Sequence, residues 1–376
     1  MGGEQACPRL RPAALRPIRW GMCALLGPAL LAWGQPRFER QVVSAERGIA
    51  GAALAAGSPR RPPELYTWGQ GIQRWQPGDG AVRFAAPPVA PSLLAGGCLV
   101  DADRDGQDDL VVQVGGSSGG LWWRQASAGA WHVIARGVEA EDLLPITLFG
   151  QAGVLLIHGF GQLRFYAIPA DPRQPWMARE LYSFYSPSRQ GGLARGDVDQ
   201  DGQEDILCGN YWVRNPGSAE LPWRLFAINT FSEDRLASLQ RLAWADLHGN
   251  GAHSLVASER EARRARLTWF ERPLDPRQLW AAHPLEGRLH LRRPQGLAVA
   301  DLNADRLPEI VAGENDGPGS RIIVFWNKGN GVFEPRPAGE GNGAAHLWVV
   351  DWNRDGRLGL LSAGPWGVEY WNIAGP

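Results

Sequence analysis

Residues 101–109 read DADRDGQDD, so Asp101, Asp103, Asp105, Asp108 and Asp109 place five carboxylates within nine positions. Like charges this close repel unless a cation sits among them. Asp101, Asp103 and Asp105 stand at loop positions 1, 3 and 5, Gly106 at position 6 permits a sharp turn, and Asp109 closes the loop at position 9. Alternate residues of a tight loop converge their side chains on one point. Hard oxygens in that number suit Ca²⁺, which takes about six to eight oxygens at roughly 2.3–2.6 Å. An EF-hand would need Glu at position 12 and flanking helices. Position 12 is Val112, inside a β-rich run, so that alternative is excluded.

The acidic loop recurs. Copies begin at Asp197 (DVDQDGQEDILCGN), Asp301 (DLNADRLPEIVAGEN) and Asp351 (DWNRDGRLGLLSAG), with a worn copy, DLHGNGAHSLVAS, at Asp246. Successive intervals are 96, 49, 55 and 50 residues, so a unit without the acidic motif is expected after the first copy. The second complete loop carries Asp197, Asp199, Asp201, Gly202 and Asp205. The third has Asp301, Asn303, Asp305 and Glu309, with Arg306 in place of Gly. The fourth has Asp351, Asn353, Asp355 and Gly356, but Gly359 removes the last carboxylate and should weaken binding. The worn copy keeps only Asp246 and is expected to bind nothing. Two Ca²⁺ sites are therefore expected, and up to four.

These loops must be positioned by short strands. Each is followed by an apolar run, a turn and a strand carrying an aromatic: Trp122 and Trp123, Trp212, Trp269 and Phe270, Trp326, Trp371. Trp75, and Phe165 with Tyr166, mark two further copies without an acidic loop, which makes seven. A third marker is a short strand opening on Trp131, Trp176, Trp223, Trp280 or Phe333. It is missing from the last unit, while a matching segment from Phe38 stands alone near the start. Seven units of about four strands, closed by that N-terminal strand, predict an all-β fold: a seven-bladed β-propeller of four-stranded antiparallel blades. Closure removes the open sheet edges. The aromatics are expected to pack blade on blade.

The recurrent D-x-D-x-D-G-x-x-D followed by an apolar strand resembles the FG-GAP repeat, also called the VCBS repeat. It is shared by the integrin α-subunit propeller and many exported bacterial proteins. The resemblance implies calcium loops joining the first two strands of a blade, on the face opposite the usual ligand face. It carries the metal positions onto the residues named above in the second, fourth, sixth and seventh units.

The N-terminus predicts export. Arg9, Arg11, Arg16 and Arg19 precede the apolar run WGMCALLGPALLAW at 20–33, and Ala32 and Gly34 suit cleavage before Gln35. Residues 1–34 are thus read as a signal peptide and 35–376 as the propeller. A secreted or periplasmic location and no membrane span in the mature chain follow. Cys98 and Cys208, about 110 residues apart in separate units, are expected to be buried free thiols. A net charge of −1 gives no electrostatic case for nucleic acid. Lys328 is the only lysine of the 376 residues.

Ligand binding would use the rim opposite the acidic loops. Repeat phase places Asn210, Tyr211, Glu259, Glu314, Asn315 and Asp316 there, with Gln190, Gln295, Arg189, Arg292 and Arg293 pointing the same way. The favoured function is non-catalytic binding of a protein or glycan, by a monomer. The alternative is a carbohydrate-active enzyme such as a polysaccharide lyase, which needs a His or Tyr base with Arg nearby. Of His132, His158, His248, His253, His283, His290 and His346, His158 in LIHGFG is the first to test. There is no zincin motif, phosphate loop or zinc cluster in the sequence.

Overall fold

The computed structural model describes residues 37–374, apart from 89–91, 118, 160, 185–190, 230–239, 260–264 and 286–288. The expected signal peptide lies outside the described residues. Twenty-eight strands form seven four-stranded antiparallel sheets, with no helix among the described residues. The innermost strands are β2 (Ile49–Ala55), β6 (Leu93–Val100), β10 (Ala140–Leu148), β14 (Leu193–Gly196), β18 (Gln240–Ala245), β22 (Pro294–Ala300) and β26 (His346–Val350). Each touches the next around the ring, and β26 meets β2.

The last blade is closed from the other end of the chain. β1 (Arg37–Ser44) pairs antiparallel with β28 (Gly367–Ala374), with Phe38 opposite Ile373 and Arg40 opposite Trp371. Arg40 Nε donates to buried Glu369 at 2.8 Å, and the Asn342 main chain donates to the same carboxylate at 3.0 Å. The unit expected between the first two acidic loops is the blade starting at β10.

The second strands are almost wholly buried. β7 (Asp109–Val114), β15 (Asp205–Cys208), β19 (Ser254–Glu259), β23 (Glu309–Glu314) and β27 (Gly359–Gly364) show no residue above the buried class. A strand in the middle of a sheet packed between two other sheets has both faces covered, so its middle reads as a short apolar run rather than an alternation. Cys98 in β6 and Cys208 in β15 are free and buried, two blades apart.

The tryptophans pack the blades as expected. Trp68, Trp123 and Trp212 are at most 1% exposed. Their indole N–H groups reach main-chain carbonyls of the next blade: Trp68 to Leu94 at 2.8 Å, Trp123 to Pro172 at 3.1 Å, Trp212 to Pro276 at 3.1 Å. Pro172 and Pro276 sit in a repeated turn, Asp171-Pro-Arg-Gln-Pro-Trp176 and Asp275-Pro-Arg-Gln-Leu-Trp280. The turn's own Trp176 or Trp280 donates to the same carbonyl at 3.0 Å. This corrects one expectation. Trp176, Trp223 and Trp280 stand just before β13 (Ala178–Ser183), β17 (Arg224–Ala227) and β21 (Ala281–Pro284), not inside them. For Trp176 and Trp280 the cause is that carbonyl, which the indole meets by leaving the ladder.

The five loops between first and second strands share one backbone form. Position 4 is left-handed at Arg104, Gln200, Gly249, Ala304 and Arg354, with φ from 59° to 64°. Position 6 is left-handed at Gly106, Gly202, Gly251 and Gly356, and also at Arg306, where φ is 72°. A side chain in that conformation costs roughly 1–2 kcal/mol. Lys328, in the turn between β24 (Ser320–Asn327) and β25 (Phe333–Gly341), lies on the same rim, its neighbour Asn327 donating to Pro308 O at 3.1 Å. Replacing Arg306→Gly should raise stability by about 0.5–1 kcal/mol, once the greater freedom of unfolded Gly is counted. Gly202→Ala should lower it by a similar amount, and chemical denaturation of both variants checks the pair.

Candidate metal centres

In every acidic loop the first Asp is bound by its own turn. Asp101 accepts the N–H groups of Asp105 and Gly106, both at 3.1 Å. Asp197 does the same with Asp201 and Gly202 at 3.0 Å, Asp301 with Asp305 and Arg306 at 3.1 and 2.8 Å, and Asp351 with Asp355 and Gly356 at 3.0 Å. The worn loop keeps this pattern: Asp246 accepts from Asn250 and Gly251 at 3.2 and 2.6 Å. Position 1 therefore folds the turn whatever else the loop holds, which is why Asp246 survives where the other acids are gone.

Positions 3 and 9 carry the differences. Among the described residues two groups of acids bring one oxygen each within 4.8 Å of one another: Asp101, Asp103 and Asp109, and Asp197, Asp199 and Asp205. Asp109 and Asp205 are fully buried. Each accepts the position-2 N–H, from Ala102 at 2.9 Å and Val198 at 3.0 Å, and a second N–H from across the blade, Ala126 or Asn215, at 2.7 Å. Burial pushes their carboxyls up, to about 6 for Asp109 and about 7 for Asp205, against these hydrogen bonds. Burial likewise pushes Glu309, the third loop's closing acid, up to about 7. A buried acid that resists ionisation beside two further carboxylates is what a divalent cation relieves. The all-oxygen donor set fits a hard cation of the Ca²⁺ type.

The position-5 acids stand apart from the convergent oxygens. Asp105 caps Gln107 N at 2.8 Å and Asp201 caps Gln203 N at 2.9 Å. In the third loop Asn303 Nδ2 donates to Asp305 at 2.9 Å, and Asn353 repeats this with Asp355 at 2.9 Å in the fourth.

Two substitutions grade the sites further. Gln125 and Arg214 occupy equivalent positions, each one residue past the partner of the strand residue following the closing acid. Gln125 Nε2 donates to Asp103 at 2.7 Å, whereas Arg214 binds Asp199 and, at 2.7 Å, Asp201. The loop at 197–205 thus already holds a guanidinium against two of its acids. In the fourth loop a Cβ on Gly359 would lie 2.3 Å from the Tyr370 hydroxyl. That buried phenol fills the place of the missing carboxylate, and burial with Asp355 and Asp351 nearby pushes it up to about 12. A neutral hydroxyl there contributes less to cation binding than a carboxylate.

The opposite rim differs from the sequence reading in detail. Glu314 is 0% exposed, and its oxygens are taken by the N–H and guanidinium groups of Arg292 and Arg321. Glu259 is likewise bound by Arg266, at 3.0 Å from its N–H and through the guanidinium. Both acids end second strands and bind an arginine at or beside the third strand, and both are buried. Asn210 and Asn315 are buried, the latter donating to Gln295 Oε1 at 2.6 Å. Tyr211 is half-buried near Phe184, with ring centroids 6.3 Å apart. Asp316 is exposed, 3.7 Å from Arg292. Arg189 and Gln190 lie outside the described residues. His158 ends β11 (Gln151–His158), where Nδ1 accepts the Glu139 N–H at 3.3 Å and burial lowers its pKa.

The residues that converge on this rim are others. A channel space of about 310 Å³ along the inner strands is lined by Asp142, Arg241, His346 and Trp348 among small residues. Arg241 donates to Asp142 Oδ1 at 2.7 Å, Gln295 O at 3.1 Å and Ala345 O at 3.4 Å, so one side chain reaches three other blades. Asp142 also accepts the Gly192 N–H at 2.8 Å. The His346 ring stacks on Trp348, centroids 5.8 Å apart. The signal was present: the inner strands IAGAALA and PQGLAVA carry no charge, whereas QRLAWA and AEDLLPITL place Arg241 and Asp142 on inner strands.

Comparison with known proteins adds the following. Residues 295–362 match the model of the FG-GAP-like repeat. No curated protein matches the chain. Among solved structures, one described as an Agrocybe aegerita lectin with specific recognition of non-reducing terminal N-acetylglucosamine is similar at 14% identity, covering 90% of this chain and 86% of that one, with a TM-score of 0.49. The matched repeat spans β22 to β27, and the same loop and strand register recurs in the blades starting at β6 and β14. The chain is a seven-bladed β-propeller that carries an FG-GAP-like repeat at residues 295–362.

Proposed function

We propose that this protein is an exported, calcium-stabilised propeller that binds a protein or glycan without transforming it. The observation that carries the reading is the convergence of Asp101, Asp103 and Asp109, and of Asp197, Asp199 and Asp205, within 4.8 Å on one rim. Ca²⁺ held there would neutralise the buried closing acid and tie the first hairpin of a blade to its third strand. The chain's own part is the turn that aims the acids. The opposite rim is then left as the binding face, on a scaffold whose histidines are largely engaged in ring packing. His283 stacks on Trp269 at 4.0 Å between centroids, His253 on Trp244 at 5.6 Å, and His132 lies 4.9 Å from Trp123.

One observation favours the enzyme alternative. Arg241, Asp142 and His346 line a single channel, the pairing of guanidinium and imidazole that a lyase acting on uronates requires. Incubation with acidic polysaccharides should give no unsaturated product absorbing in the ultraviolet. A rise in absorbance that is lost in His346→Ala would replace binding by lyase chemistry.

The calcium reading is tested by melting curves. Ca²⁺ in place of a chelator should raise the melting temperature by several degrees, by mass action on the folded state. Asp109→Asn with Asp205→Asn should abolish most of that rise. Identical curves with and without Ca²⁺ would remove calcium from the account.

The same acids set a pH dependence in chelator. An acid whose folded pKa exceeds its unfolded value holds more protons folded than unfolded between the two. Its contribution to stability therefore falls as pH rises from about 4, the unfolded value, to about 7 for Asp205 and Glu309. Unfolding free energy measured at pH 5 and pH 7.5 should drop more steeply in wild type than in Asp109→Asn/Asp205→Asn/Glu309→Gln. Equal slopes would show that these carboxyls are not the source.

A further inference from the structure

The first blade carries no acidic loop. Its first two strands, β2 and β3 (Glu64–Gly69), are joined by AGSPRRPP, which puts arginines on the rim where the other loops put aspartates. Arg61 Nη1 donates to Gly106 O of the neighbouring acidic loop at 2.9 Å. Between the two blades lies a groove of about 650 Å³. That volume is in the range of small-molecule sites, roughly 300–1,000 Å³.

The groove holds guanidinium groups whose donors are mostly unspent. Phe84, in β5 (Val82–Phe84), has the Arg124 guanidinium 4.1 Å from its ring centroid and that of Arg74 at 6.0 Å, with Tyr66 stacked on it at 6.4 Å. Arg124 makes one marginal hydrogen bond, to Gln125 O at 3.5 Å. Among the described residues it has no ion-pair partner, though a guanidinium offers five N–H donors. Arg74 meets Glu64 only at 3.5 Å, and its Nε is buried with no partner. Glu64 is committed elsewhere, accepting from the Tyr66 hydroxyl at 3.0 Å and from Gln76 Nε2 at 2.5 Å. Burial also holds the Arg124 pKa below its ordinary value, with Arg74 adding repulsion.

Two partly buried cations face one cavity with hydrogen-bond donors to spare, and of the two only Arg74 has a carboxylate among the described residues, Glu64 at 3.5 Å, within ion-pair distance. The remaining walls carry amide and carboxylate groups from Gln76, Gln107 and Asp108, suited to hydroxyls. We propose that this inter-blade groove binds an acidic sugar, its carboxylate or sulfate held by Arg74 and Arg124. The proposal rests on the glycan-binding reading and names its ligand class.

Calorimetry on the mature chain decides it, with three trisaccharides of equal length: uronate-terminated, sulfated and neutral. Either acidic probe, or both, should bind tighter than the neutral one. Arg124→Gln and Arg74→Gln should each weaken it about 10- to 100-fold, the loss of a charged hydrogen bond, while Arg195→Gln on another blade should leave it unchanged. Arg124→Lys keeps a cation over Phe84 and so keeps the fold, but loses the fork, and it too should bind more weakly. Acidic probes that bind no tighter than neutral, or bind Arg124→Lys and wild type alike, overturn the groove while leaving glycan binding elsewhere intact. Binding of no saccharide of any kind overturns both readings.

Discussion

The structure depends on a closed ring. Each blade is a sheet with two apolar faces, and a face is covered only if another blade lies against it. An open row would leave two uncovered faces and an open edge at β28. Pairing β1 with β28 across nearly the whole chain removes both, and the buried Glu369 held by Arg40 sits on that seam. The blade clusters reflect the same constraint. Leu65 and Trp75 of the first blade share a core with Trp352 and Tyr370 of the last.

Once the ring is closed, the loops at its rim can vary. The turn is set by the first Asp and two left-handed residues, and it persists when the acids at 3, 5 and 9 are lost, as at Asp246. Cation binding is thus separable from loop geometry. The loops form a graded series. The one at 101–109 is complete, and that at 197–205 is complete but opposed by Arg214. The one at 301–309 has a longer closing acid, and the one at 351–359 has a phenol in place of its carboxylate.

Much of this was legible in the sequence. Acidic loops at intervals near fifty residues fixed the blade count, and Phe38 without a blade of its own pointed to the closing strand. What escaped were contacts that no repeat phase encodes. Glu314 looks like a polar rim residue until Arg292 and Arg321 are seen to enclose it, because those partners come from a neighbouring loop and strand. Gly359 reads as a loss, whereas the space is occupied by Tyr370, eleven residues on and paired with Leu361 beside it. Arg241 is visible as an oddity in an apolar strand, but its partners lie on three other blades. The repeated Asp-Pro-Arg-Gln turn was there to be read and marks the blade junctions where two indoles share one carbonyl.

The chain's single lysine has a practical consequence. Lys328 is about half exposed, near Glu334, in a turn on the acidic rim. Both cysteines of the propeller are buried, so the accessible side-chain nucleophile for amine-reactive coupling is one ammonium group at a known address. A surface or dye attached through it would hold the molecule by its acidic rim. The mouth of the central channel would then face the solution.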